Sequence, residues 1–429
     1  MPPSTEHAAP RARLTLALLA LLSALAFMDR QILAVLLVPV KAEFSLSDLQ
    51  VGLVTGLGFA LTFGFIGVPL GRIADRRERR SLVAWCRGIG GTLAALGAAA
   101  SGAWTLAFTR MGGAISDAGG GPASMSMIAD LYPPESRSRA MSIFAMGASM
   151  GSLMALIGGA WFAQRHGWRA TLATIGLVTL VVAVLLRWGA REPARAGAPA
   201  SSPAAGPATV GQGAVRAVLA QPTARWLVVA AAFALLAGYS FGTWNFAYLV
   251  RVHGLAAEAA GWVTGLSALG SVGGTLASGA LADRLARRDL RWQLGVPLVG
   301  VGVALPVGLS YLMLGPQQTG LAAALVIAFG FFVSWWVAPA YAALSLVVPP
   351  QRRATANAML LLVGAVGGSG IGPVLTGAVS DLLAGHVAGD PLRWSLALML
   401  ALLGPAWLAF AHAMRTYPAA RRAASGGTA

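Results

Sequence analysis

The chain has 429 residues, of which 57% are hydrophobic, and only 11% carry a charge. Soluble domains have roughly 25% charged residues, so this composition excludes an ordinary soluble protein, and its hydrophobicity excludes a disordered one. The net charge of +16 would suit a nucleic-acid-binding protein, but its arginines lie mostly between apolar runs, which is typical of membrane topology signals. The single cysteine, Cys86, excludes an intrachain disulfide and a cysteine-rich metal site.

Twelve apolar runs follow one another along the chain, each long enough for a helix that spans a bilayer. They cover residues 14–40, 49–70, 81–102, 104–130, 140–163, 169–188, 226–250, 259–281, 293–314, 319–347, 354–384 and 395–414. Between the sixth and seventh runs, the chain is rich in Ala, Pro, Ser and Gly, which predicts a flexible linker with a short helix near 214–219. We therefore predict an all-α membrane protein with twelve transmembrane helices in two six-helix bundles.

The predicted organisation has five parts. They are an N-terminal tail (1–13), a first bundle (14–190), a linker (191–223), a second bundle (224–415) and a C-terminal tail (416–429). Most arginines lie on the side that holds both tails and the linker, so the positive-inside rule predicts that this side is cytosolic. The Arg-rich, Lys-poor composition indicates a bacterium, which predicts an inner-membrane location.

The two halves repeat a basic loop. The loop between the second and third spans contains Gly71, Asp75, Arg76, Arg79 and Arg80, and the loop between the eighth and ninth contains Gly279, Asp283, Arg284, Arg287 and Arg288. A second repeated pattern consists of the Pro-Pro pairs at 133–134 and 349–350. Each pair precedes an Arg-Ala pair and a glycine-rich span. We predict a parallel duplication, with these loops as cytosolic gates and a substrate site between the halves.

The first and fourth predicted spans contain four charged residues well inside them: Asp29 and Arg30 in the first, and Arg110 and Asp117 in the fourth. Such charges are costly in a bilayer and usually mark function. A spacing of seven places Arg110 and Asp117 on one helix face, about 10 Å apart. A buried carboxylate that loses an arginine partner takes up a proton more readily. We predict a proton-coupling network with Asp29 as the main protonation site; a static network that packs two helices is the alternative.

Arg87, in the third span, is predicted to snorkel towards the cytosol along its apolar stem, and a role in the cavity is the alternative. Asp381, near the end of the eleventh span, is predicted to make a helix-end or gate contact rather than to bind a ligand.

The repeated loop resembles the signature loop of the major facilitator superfamily, although Glu78 and Ala286 occupy a site that the family often gives to glycine. Residues 28–33 (Met-Asp-Arg-Gln-Ile-Leu), 47–52 (Ser-Asp-Leu-Gln-Val-Gly), 167–169 (Gly-Trp-Arg) and 191–193 (Arg-Glu-Pro) are similar to the spinster-like branch of that family. The resemblance implies rocker-switch alternating access and proton coupling through Asp29, Arg30, Arg110 and a fourth-span acid. That acid is Asp117 here, where the branch usually has Glu. It also implies a lysolipid- or sphingolipid-like substrate.

The seventh and tenth spans are rich in aromatic residues, and the resemblance implies that both border a central cavity. The candidate substrate contacts are Tyr239, Trp244, Asn245, Trp335 and Trp336. The alternative is that these aromatic side chains face lipid or the membrane interface.

The predicted partners are a small-molecule or lipid substrate, protons and the bilayer, with the chain as a monomer. No metal site, cofactor or nucleic-acid partner is predicted, and the scattered histidines argue against an enzyme. The competing hypotheses are a non-transporting membrane sensor or scaffold and a transporter of small organic anions or drugs.

Overall fold

The computed structural model describes residues 8–76, 78–190, 192–193, 212–349 and 352–424, and within these ranges the chain is helical and contains no strand. The chain divides into two compact units. Unit 1 comprises Met1–Leu46 and Leu53–Ala208, and unit 2 comprises Ser47–Gly52 and Thr209–Ala429. The boundary between 208 and 209 falls inside the predicted linker. The small segment Ser47–Gly52, called here the 47–52 segment, belongs to unit 2 although its chain neighbours belong to unit 1.

The α-helices are, in chain order, α1 (Ala8–Phe44), α2 (Asp48–Gly52), α3 (Gly58–Arg76), α4 (Arg79–Leu96), α5 (Ala103–Leu131), α6 (Pro134–Leu153), α7 (Ala160–Gly189), α8 (Gln212–Leu219), α9 (Pro222–His253), α10 (Ala257–Ala286), α11 (Trp292–Met313), α12 (Thr319–Val333), α13 (Val337–Val347), α14 (Arg353–Leu362), α15 (Gly372–Leu383), α16 (Pro391–Ala401) and α17 (Leu403–Ala424). The short linker helix predicted near 214–219 is confirmed by α8. Most of the remaining linker, and both extremes of the chain, lie outside the described residues.

Nine stretches of the described chain are long and apolar enough to cross a membrane. One of them, Ser136–Gly189, contains the fifth and sixth predicted spans, which meet at a bend at Gly167 (φ 78°). A positive φ is readily adopted only by glycine, so the residue type allows the chain to reverse there. Helices α5 and α10 are not among the nine and coincide with the fourth and eighth predicted spans. The predicted all-helical, twelve-span fold is confirmed.

Small residues allow the helices of unit 1 to pack with their backbones close together. A Cβ at Gly176 of α7 would lie 2.3 Å from the amide nitrogen of Ala95, and one at Gly151 of α6 would lie 1.9 Å from the carbonyl oxygen of Ala24 in α1. Neither position can hold a larger side chain unless the backbones move apart. The same approach brings the charged side chains of neighbouring spans within reach of one another.

Three described segments are π-helical: Leu53–Leu57, Met154–Gly159 and Val363–Ile371. The second and third lie in the fifth and eleventh spans, which occupy the same place in the two halves of the sequence. A π-helical turn interrupts the α-helical hydrogen-bond ladder and often occurs at functional sites. The repeat is therefore visible in backbone geometry as well as in sequence.

Candidate functional site

Asp29 and Arg110 form a buried ion pair inside unit 1. The Arg110 guanidinium donates to Asp29 Oδ2 and, at 3.1 Å, to the main-chain oxygen of Asp29. Gly113 of α5 makes room for the pair, because a Cβ there would lie 3.2 Å from Asp29 Oδ2. The second carboxylate oxygen, Oδ1, is buried without a hydrogen-bond partner among the described residues. The structure thus brings together two of the four charges that the sequence singles out, and their role in proton coupling stays a prediction.

Asp117 lies in a different pair. Its Oδ1 is 3.1 Å from the Nη1 of Arg87, which also donates to the Ser116 hydroxyl at 3.0 Å. Arg87 is only 3% exposed, so the prediction that it snorkels out of the third span is wrong. The reason is Gly120, where a Cβ would lie 2.5 Å from Arg87 Nε. The missing side chain of Gly120 leaves space on α5 for the guanidinium, and Asp117 neutralises it.

The four predicted charges thus fall into separate arrangements. Arg30 is half-buried, with its guanidinium 4.6 Å from the centre of the Phe59 ring. A guanidinium over an aromatic face is stabilised by a cation–π interaction. The structure brings Asp29 and Arg110 together and pairs Asp117 with Arg87, a residue that the sequence analysis left outside the network.

The first signature loop contains a buried cluster around Arg79 at the start of α4. Its guanidinium contacts Asp130 Oδ2 at 2.5 Å, the Ser126 hydroxyl at 2.9 Å and Glu192 Oε1 at 3.2 Å. Glu192 also accepts hydrogen bonds from the backbone amides of Arg79 and Arg80, which satisfies two donors at the N-terminus of α4. Arg80 pairs with Glu78. Gly71, Asp75 and Arg76 lie in the last turns of α3, and the side chains of Asp75 and Arg76 lie outside the described part.

The second signature loop has no such cluster among the described residues. Asp283, Arg284, Arg287 and Arg288 are exposed, and none of these side chains forms an ion pair with another described residue. The sequence explains the difference, since no Asp or Glu occurs between residues 290 and 380. The duplicated motif therefore has different electrostatics in its two copies.

The predicted aromatic contacts lie in unit 2, where several of them pack inside the bundle. Trp244 is buried and donates from Nε1 to the Pro373 carbonyl at 3.1 Å. Asn245 is also buried and accepts from the Tyr311 hydroxyl at 2.7 Å. Trp336 is buried, and Tyr239 and Trp335 are half-buried. These contacts give Trp244 and Asn245 a packing role in this conformation; a substrate role for the set stays a prediction.

A charged cluster that the sequence analysis did not assemble surrounds Asp48, the first residue of α2. Asp48 is 2% exposed and accepts two hydrogen bonds from the Arg251 guanidinium, at 3.0 and 3.1 Å, and one from the Ser380 hydroxyl at 2.7 Å. Arg251 also binds Asp390 through two hydrogen bonds of 2.8 and 2.9 Å. We call Asp48, Arg251, Ser380, Asp381 and Asp390 the Asp48 cluster.

Asp381 completes the Asp48 cluster by capping α2. Its two carboxylate oxygens accept from the backbone amides of Asp48 and Leu49 at 2.9 and 2.8 Å, which confirms the predicted helix-end contact. The backbones also approach closely, because a Cβ at Gly377 would lie 2.1 Å from the Asp48 carbonyl oxygen. Three carboxylates and one guanidinium therefore hold the 47–52 segment in unit 2. The sequence shows that these charges lie at the ends of predicted spans, which marks them as candidates for ion pairs. Their spacing does not indicate which residue pairs with which.

Among the described residues, no group of three or more His, Cys, Asp or Glu side chains is arranged to hold a metal ion.

Known proteins match the chain over most of its length. The family model described as Major Facilitator Superfamily matches residues 19–369. An MFS-type efflux pump of Mycolicibacterium smegmatis is 36% identical over 420 residues, covering 96% of this chain and 95% of the pump. Protein spinster homolog 1 of Xenopus tropicalis is 26% identical over 379 residues, covering 83% of this chain and 70% of that protein.

A solved structure agrees with these matches. The crystal structure of a bacterial homolog of the human lysosomal transporter Spinster superposes with a TM-score of 0.84 at 27% identity, covering 96% of this chain and 98% of that one. The family and the structural match identify a membrane transporter rather than an enzyme. The chain belongs to the major facilitator superfamily, as a spinster-like member.

Proposed function

We propose that the protein is a proton-coupled secondary transporter that moves an amphipathic substrate with a charged headgroup by alternating access. The observation that carries the proposal is the buried Asp29–Arg110 pair, in which one carboxylate oxygen has no hydrogen-bond partner among the described residues. An ionisable pair inside a membrane span is costly and is retained where charge or protons move. Asp29 supplies a carboxylate that can accept a proton, and Arg110 supplies a cation that can compete with the proton for that carboxylate.

The pair suggests a coupling step. While Arg110 holds Asp29, the two side chains are paired with each other. A conformational change that withdraws Arg110 leaves a carboxylate in a low-dielectric environment, where the protonated form is favoured. Proton uptake and release at Asp29 are then linked to the state of the bundle. Asp117 and Arg87 form a second, partly buried pair that can respond to the same movement.

The substrate class rests on the resemblance to spinster-like proteins and on the composition of the spans. Within unit 1, Arg30 offers a contact for a charged headgroup, and the half-buried Phe59 ring beside it offers one for an apolar body. A lysophospholipid has both features in one molecule.

Asp29→Asn is expected to abolish proton-driven transport while substrate exchange persists, because Asn keeps the shape of the side chain and cannot exchange a proton. Purified protein in liposomes is given a pH gradient, and uptake of a radiolabelled lysophospholipid is followed with and without the gradient. Exchange of labelled for unlabelled lysophospholipid, measured at equal pH, reports binding and movement without coupling.

The matched control is Asp289→Asn, which removes an exposed carboxylate between α10 and α11. It should retain the stimulation by the gradient. Full gradient-driven uptake by Asp29→Asn would refute proton coupling through this residue. Uptake of a labelled aromatic carboxylate, but not of the lysolipid, by the unaltered protein would replace the lipid-like substrate with a small organic anion.

We also propose a bacterial inner-membrane location with both termini in the cytosol and a monomeric transporter. The excess of arginine on the side of the linker supports this orientation. A fluorescent protein fused to the C-terminus should therefore fluoresce, and alkaline phosphatase fused there should be inactive. The opposite pair of readings would reverse the orientation.

A further inference from the structure

A groove runs along the outside of unit 1 where α4 and α7 meet. It has a volume of about 390 Å³, and its lining is almost entirely apolar. Small residues form its floor, namely Ala84 and Gly88 of α4 and Ala183 of α7, and Trp85 and Leu180 belong to its sides. The groove exists because two adjacent helices present small residues at the same level. Larger side chains there would fill it.

The length of the groove is close to the thickness of the hydrocarbon layer in one leaflet. Along α4 its lining extends from Ala84 to Leu93, which is about 13 Å at 1.5 Å per residue. Half of a bilayer's hydrocarbon core is about 15 Å thick. Both helices lie in stretches apolar enough to cross a membrane, so hydrocarbon is the medium that this groove meets. An extended acyl chain matches its length and its apolar lining.

One end of the groove is basic. Arg187, in the last turn of α7, is its charged lining residue, and it forms no hydrogen bond or ion pair with another described residue. Trp188, which follows it, is 80% exposed. Arginine and tryptophan together at the end of a span are typical of the level of the lipid headgroups. The groove therefore runs from the headgroup level into the hydrocarbon core.

The charge of Arg187 acts on Glu78, near the same end of the groove. The Ser81 hydroxyl, together with the guanidinium groups of Arg80 and Arg187, lowers the pKa of Glu78 at the neighbouring end of α4. Glu78 accepts hydrogen bonds from Arg80 and Ser81 and none from Arg187, so the Arg187 guanidinium keeps its donors. An anionic group placed beside Arg187 would complement this charge.

We propose that this groove binds a phospholipid with an anionic headgroup, with one acyl chain lying between α4 and α7 and the phosphate against Arg187. The bound molecule is a resident lipid of the leaflet on the side of the linker, held at a site separate from the charged pairs of the spans. Basic pockets between transmembrane helices are a recognised form of anionic-lipid site.

The test is native mass spectrometry of the purified full-length protein titrated in detergent with phosphatidylglycerol or with phosphatidylcholine of the same acyl chains. The unaltered protein should bind one phosphatidylglycerol in preference to phosphatidylcholine. Arg187→Gln should weaken phosphatidylglycerol binding about fivefold, the effect expected from one basic residue at a lipid headgroup. Gly88→Leu should remove binding of both lipids at this site, since the leucine occupies the groove.

Two variants serve as matched controls in unit 2 and should bind as the unaltered protein does. Arg291→Gln removes an exposed arginine beside a tryptophan, and Gly320→Leu adds a leucine at an exposed position with open space around it. Equal phosphatidylglycerol binding by the unaltered protein, Arg187→Gln and Gly88→Leu would overturn the proposal. Equal binding of the two lipids by the unaltered protein would also overturn it. A dimer that Gly88→Leu converts to a monomer would assign the groove to a second copy of the chain.

Discussion

Replacing Arg87 with methionine should lower the free energy of unfolding by about 3 kcal/mol, because it leaves the Asp117 carboxylate with no cation in the interior of unit 1. Methionine keeps an unbranched apolar stem of similar length, so the loss reports the charge rather than a cavity. Breaking a buried pair costs more than the pair contributes, since the remaining charge has lost its water as well as its partner. Unfolding by SDS in mixed micelles measures the change.

The double variant Arg87→Met with Asp117→Asn should recover at least half of that loss, since it removes both charges. If the two side chains form a specific pair, the stability loss of the double variant is smaller than the sum of the losses of the two single variants. If they act independently, the losses add. Arg291→Met, at an exposed position, is the control and should change stability little. If Arg87→Met were as stable as the unaltered protein, the arginine would reach water along the third span, as its sequence position alone suggests.

The spans could be predicted from the sequence because they depend on the length of apolar runs, which is a local property. The linker helix α8 was predictable because helix propensity is also a local property of the sequence. The bend at Gly167 and the π-helical segments were not, because they depend on how neighbouring helices pack. The assignment of the 47–52 segment to unit 2 was also unpredictable, since it rests on contacts with residues more than 200 positions away.

The site was predictable only in part, and Arg87 shows why. Helical spacing places Arg110 and Asp117 on one face of α5, but it does not say which neighbouring helix meets each residue. Gly113 admits the Asp29 carboxylate and Gly120 admits the Arg87 guanidinium, so two glycines decide the pairing. The sequence does not distinguish a glycine that accommodates a charged side chain of another helix from a glycine that only allows close packing.

The two signature loops carry the same arginines but differ in their acids. In the first copy, Asp130 and Glu192 bind the Arg79 guanidinium and Glu192 also caps α4, whereas the second copy has exposed arginines. The charges of the first loop are held in ion pairs, and those of the second loop are exposed. The two halves therefore differ electrostatically, which the sequence repeat alone would not suggest.

Asp48→Asn should raise the reactivity of a cysteine placed at Val51 about thirtyfold, because Asp48 holds the 47–52 segment in unit 2 through three hydrogen bonds to Arg251 and Ser380. Hydrogen bonds to a charged group contribute about 2 kcal/mol, and a loss of that size raises the undocked fraction by this factor. Val51 is 2% exposed, so Val51→Cys reacts with a membrane-impermeant maleimide only when the segment leaves its place. The natural Cys86 is buried, and the unaltered protein provides the blank.

Glu43→Gln is the matched control for this experiment, because Glu43 lies five residues before Asp48 and forms an exposed pair with Arg169. Exposed pairs contribute little, so labelling at Val51→Cys should be unchanged. Asp381→Asn offers an independent test, since it weakens the cap on the amides of Asp48 and Leu49 without touching Arg251. It should also accelerate labelling. If Asp48→Asn and Asp381→Asn both label at the rate of Glu43→Gln, the close backbone contact at Gly377, rather than the charges, holds the segment.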